Sequence, residues 1–123
     1  MQLAERFRRG IVVPLDVTAC GQLLQGKVDE NTSVQSINLD NDDTFYELWE
    51  WGFFKAINQA CETHIGEYED NCLPGHNLAA FQAVIQAFLE KSECSVARRE
   101  VLLECSNLSE TALKLKAPVF FIL

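Results

Sequence analysis

Four residues of metal-ligand type are spaced as Cys61-x2-His64 and Cys72-x3-His76. Two ligands three apart on a helix share a face, and two more from the following turn could complete the thiolate and imidazole tetrahedron that holds structural zinc. The pairs do not sit in knuckle-like turns, and a chain of 123 residues needs no metal to keep its core. Buried thiols and surface histidines are the plainer account, so neither metal nor cofactor is expected. Asp40-Asn41-Asp42-Asp43 opens like a calcium loop, but the loop positions that require Gly and a bidentate Glu hold Phe45 and Trp51. Glu62, His64, Glu67, Glu69 and Asp70 gather carboxylates around an imidazole, the material of general acid–base catalysis in a site that shifts their pKa values. Such an enzyme needs a concave pocket around His64 or His76 that also holds Glu67 or Asp70. Cys61 with His64, as nucleophile and base, has no visible third group to orient it. The chain also lacks GxGxxG, GxxxxGK[ST], GxSxG and HExxH. On this reading the chain is not an enzyme.

The charge is distributed more tellingly. Ten Lys and Arg stand against 18 Asp and Glu, a net of -8. Residues 1–28 are mildly basic and residues 71–123 balance, whereas residues 29–70 carry eleven acids against Lys55 alone, so the whole excess belongs to the middle third. A negative field repels nucleic-acid phosphates and anionic membranes, so neither direct nucleic-acid binding nor membrane binding is expected. The five cysteines are odd in number and lack CxxC spacing, the first residues are charged, and no apolar run approaches the roughly 18 residues of a membrane span. Reduced thiols in a cytoplasm fit these features.

The elements that position these groups read as helical. Gln2–Arg9 suits a short helix stopped by Gly10, and a second runs from Pro14 and Asp16 to Gly26 through Val17, Leu23 and Leu24. Residues 27–43 read as a polar connection. Asp42 or Asp43 caps a long helix to Ile65, ended by Gly66. At 100° per residue, Phe45, Leu48, Trp49, Gly52, Phe53, Ala56 and Ala60 form its apolar stripe, and Glu47, Trp51, Phe54, Asn58, Cys61 and Glu62 fall opposite. A helix from His76 or Asn77 to Lys91 follows, then one capped by Ser95 and another capped by Asn107 or Ser109 that ends before Pro118. VFFIL at the end is either a terminal strand or an extended plug. The fold class expected is mainly α, one domain built as an irregular helical bundle.

Trp51 and Phe54 stand among acids on the side of the long helix away from its apolar stripe. Aromatic anchors dominate many interfaces, and an acidic surround steers a basic partner. The expected binding face therefore combines Trp51 and Phe54 with the carboxylates of Asp42, Asp43, Glu47, Glu50, Glu62, Glu67, Glu69 and Asp70. In overall character, and in the segment TFYELWEWGFFKAINQACETHIGEYED, the chain resembles the immunity proteins of bacterial toxin systems. That resemblance implies a one-to-one inhibitor of a cognate, basic toxin domain, covering its active site or a neighbouring surface. A second class stays open: an inhibitor whose acidic face mimics the charge of DNA. Oligomeric state is left open.

Overall fold

The computed structural model describes residues 9–66 and 70–123, apart from the side chain of Asp70. The element order is β1 (Gly10–Pro14), α1 (Val17–Gln25), β2 (Val34–Asn38), α2 (Asp42–Glu50), α3 (Phe53–Cys61), β3 (Asp70–Leu73), a 3-10 turn at Gly75–Asn77, α4 (Leu78–Leu89), α5 (Val96–Leu115) and β4 (Val119–Ile122). The strands form one antiparallel sheet in the order β2-β1-β4-β3. This corrects the expected helical bundle: the fold is α+β, and the terminal strand is a central member of its sheet.

The strands escape a helical reading for a physical reason. β1 (GIVVP) and β4 (VFFI) are buried at every position, so they show continuous apolar runs without the alternation that marks a half-exposed strand. Both of their faces are covered. Ile11, Val13, Val119 and Phe121 join the main core with α2, α3, α4 and α5. Val12, Phe120 and Ile122 pack with Leu23 of α1 and Val28 on the other face. The layers are thus four helices, sheet, and α1.

Several boundaries match the sequence expectations. Gly26 ends α1 in the left-handed region as expected, but the helix starts later than expected, because Pro14 closes β1 and Asp16 is the N-cap, accepting from the Ala19 N–H at 2.7 Å. Ser95 caps α5 through the Arg98 N–H. Others differ. The long helix expected from Asp42 to Ile65 is two helices, because Gly52 takes φ 87° and turns the chain between them. Asn41, and neither aspartate, is the cap of α2. The two helices expected after Ser95 are one, with Asn107 and Ser109 in its interior. Buried Ser109 donates to the Ser106 carbonyl at 2.7 Å and accepts from Gln82 of α4 at 3.2 Å. β2 occupies part of the connection read as polar coil, and the helix expected over Gln2–Arg9 lies outside the described residues save Arg9.

Register sets one further feature. Asn38 pairs with Gly10, Gly10 with Ile122, and Ile122 with Asp70, so both edge strands meet the central pair at one end of the sheet. Arg9, 5% exposed, locks that end. Its backbone N–H donates to Asp40 at 2.7 Å, its guanidinium donates to Asp42 and to the Leu123 carbonyl, and its Cζ lies 4.1 Å from the Phe45 ring centroid.

Candidate protein-binding face on α2 and α5

On α2, Asp43, Glu47 and Glu50 recur at i, i+4 and i+7 and so project along one stripe. Asp43 and Glu50 are exposed. Helical rise spreads the three over about 10 Å, a mean of about 5 Å per charge, against one phosphate per roughly 3.4 Å of axis in a nucleic-acid strand. The N-terminal half of α5 lies alongside. A cleft of about 170 Å³ between the two helices is lined by Thr44, Glu47, Leu48, Arg98 and Glu100. Glu104 follows Glu100 by one turn, on the same flank of α5, and both are exposed. Glu93 lies just before α5, its carboxyl held below the usual range by its own backbone N–H and then by the Ser92 hydroxyl. The Glu93 carbonyl accepts from Arg98 at 3.0 Å, which brings this turn to the same cleft.

Arg98 is the cation at the centre. It donates to Glu47 at 2.8 Å, and its guanidinium carbon sits 4.6 Å from the Trp51 ring centroid. It therefore offsets Glu47 and leaves Asp43, Glu50, Glu93, Glu100 and Glu104 as the acidic rim. Lys114 and Lys116 lie at the far end of α5, where cations suit the negative end of the helix dipole.

The ten residues expected at the interface are thus separated. Asp43, Glu47 and Glu50 are on this face. Asp42 is paired with buried Arg9, which removes most of its charge from the field. Trp51 is only half-buried, but its ring packs edge-on against Phe88 at 4.9 Å and belongs to the wall of the core. Phe54 is 1% exposed and cannot present its ring to a partner; the break at Gly52 starts α3 in a new direction and turns Phe53, Phe54 and Ile57 inward together. Glu62 is exposed at the C-terminal end of α3, in the left-handed region at φ 55°. Asp70 begins β3, at the opposite edge of the sheet from β2, while Glu67 and Glu69 lie outside the described residues.

The groupings weighed for chemistry do not assemble among the described residues. Cys61 is buried with its Sγ 3.8 Å from the Asn77 carbonyl, His64 and His76 are exposed, and Cys72 is on the far side of the sheet. No group of three or more His, Cys, Asp or Glu that could hold a metal occurs among the described residues, and no described helix is long and apolar enough to cross a membrane.

The contribution of α5 is what sequence reasoning missed. Acids and bases are equal in number after residue 70, and Arg98 and Arg99 share the first turns of α5 with Glu100 and Glu104, so the charge count gives no sign of the acidic flank. The available signal was Glu100 and Glu104 one turn apart, with both lysines confined to the other end.

No family model and no curated protein matches the sequence. Among solved structures, the fold is similar to that of the Neisseria DNA mimic protein DMP12, with a TM-score of 0.60 and 12% identity over 94% of this chain and 99% of that one.

Proposed function

We propose that the chain is a non-enzymatic inhibitor that mimics nucleic-acid charge, and that its acidic α2–α5 face occupies the phosphate-binding surface of a basic, nucleic-acid-binding protein. The observation that carries this reading is the exposed carboxylates of Asp43 and Glu50 on α2 beside those of Glu100 and Glu104 on α5, an acidic rim around the Arg98–Glu47 pair. Fixed helical carboxylates suit the task, because a pre-ordered track loses little conformational entropy when it meets a cationic groove. The fold shared with a DNA mimic protein supports the same reading. A toxin-neutralising protein is its narrower form, in which the basic partner is a nuclease toxin.

The test starts from the heparin-binding proteins of the source cell, a pool enriched in phosphate-binding surfaces. A protein retained on the immobilised chain should be released by duplex DNA in competition, and the triple variant Asp43→Lys, Glu50→Lys, Glu104→Lys should not retain it. A partner that holds the chain and duplex DNA at the same time would reject mimicry. If that partner is a toxin encoded beside the chain's own gene, the narrower form holds.

A further inference from the structure

The five cysteines are all free, and they are not equivalent. Cys61 and Cys105 are sealed in the main core, Cys20 and Cys94 are half-buried, and Cys72 is exposed. Along β3, Asn71 and Leu73 pair with Phe121 and Val119, whose side chains enter the main core. Cys72, paired with Phe120, therefore projects to the opposite face, the one covered by α1. It lines a cleft of about 360 Å³ with Leu23, Leu24 and Phe120. Cys20 precedes Leu24 by one helical turn and so lies on the same flank of α1, in an adjoining cleft lined by Leu115, Ala117 and Pro118 just ahead of β4. Burial raises the Cys72 thiol first, and the neighbouring Cys20 raises it further, as nearby acidic groups do to one another.

We propose that Cys20 and Cys72 are a modification site, a thiol pair that exchange with a low-molecular-weight disulfide joins into a bridge between α1 and β3. One protein thiolate attacks a sulfur of oxidised glutathione and expels a glutathione thiolate. The second protein thiolate then attacks the protein sulfur of that mixed disulfide and expels the other glutathione. Two protein thiols are oxidised to one disulfide, and one glutathione disulfide is reduced to two thiols. Bridging needs the two Cβ atoms about 4 Å apart, and with only Ala19 and Leu23 of α1 fully buried, few core contacts oppose the shift of the helix that this entails. The loop so closed contains β2, α2 and α3, and with them the acidic stripe of α2.

The experiment treats the reduced full-length chain with oxidised glutathione at several pH values and maps disulfides by mass spectrometry without reduction. The expected product is a chain lighter by two hydrogens in which the peptides of Cys20 and Cys72 are linked. Because thiolate is the attacking form, its rate should rise about tenfold per pH unit below the thiol pKa. Cys20→Ser should leave glutathione trapped on Cys72, and Cys72→Ser should abolish the internal bridge. A wild-type chain that ends with a mixed disulfide at Cys72, a link through Cys94, or no oxidation product would overturn the proposal. None of these outcomes bears on whether the acidic face binds a partner.

Discussion

Arg98 of α5 and Glu47 of α2 are joined at 2.8 Å, and through this pair the face of the Trp51 ring is covered by a cation. The contact fixes the spacing of the two acidic helices and assigns Trp51 a packing role between them. Its indole Nε1 is buried without a hydrogen-bond partner, so this edge of the ring is turned away from water.

Replacing Trp51 with Ala should therefore lower stability by about 2 kcal/mol, less than a fully enclosed aromatic loses because the ring is only partly covered. Urea unfolding monitored by far-ultraviolet dichroism measures it. Stability within about 0.5 kcal/mol of the parent would return Trp51 to the role of exposed anchor.

Phe54→Ala should cost more, about 3–5 kcal/mol, because the 1% exposed ring packs on Phe45, Trp49 and Phe53. Under conditions where the variant is still folded, its affinity for a partner should equal that of the parent. A titration showing selective loss of affinity in a folded population would place Phe54 at the interface after all.

At Gly52 the reasoning turns on backbone geometry. A Cβ there would meet nothing within 4 Å, so Gly52→Ala removes no space, yet φ 87° strains any L side chain. The variant should lose about 1 kcal/mol, with Asn tolerated better than Ala. An Ala variant as stable as the parent would mean that α2 and α3 can run on as one helix.

Burial pushes the Cys105 thiol up to about 12, with nearby Glu104 adding to the rise. In the unfolded chain an ordinary thiol ionises near pH 8.5. Between that pH and about 12 the unfolded state has given up a proton that the folded state keeps. Stability is therefore fully present below about pH 8.5 and falls as pH rises, by roughly 1.4 kcal/mol per pH unit from this one thiol. Denaturant melts of the parent and Cys105→Ala across this range should differ by that slope. Parallel pH profiles would show that Cys105 ionises as freely folded as unfolded.

Retention of a partner through the acidic track should weaken with salt, because the Debye length contracts from about 30 Å at 0.01 M to about 8 Å at 0.15 M. The main change should be in the association rate, and Asp43→Lys or Glu50→Lys should reduce the parent's salt dependence. Association rates that are flat across this range would remove electrostatic steering from the mechanism.

Local chemistry was legible where it acts locally. Ser95 as a cap and Gly26 as a stop follow from hydrogen bonds and backbone preference within a few residues, and the structure shows both. The acidity of the segment around α2 was equally plain in the sequence. The sheet was not legible, because β1 and β4 are covered on both faces and lose the alternation that would mark them, while β2 is short and polar. Whether Gly52 continues a helix or breaks it depends on which direction lets Phe53, Phe54 and Ile57 reach the core.

By itself, then, the sequence determined the local caps and stops, the place of the negative charge along the chain, and the supply of large rings. Only the tertiary structure decided which rings stay outside, which carboxylates are neutralised, and which helices lie side by side. Arg9 reaches Asp42 across 33 positions and Arg98 reaches Glu47 across 51. Pairings over such separations are set by the packing of helices on a four-stranded sheet, and short-range spacing carries no record of them.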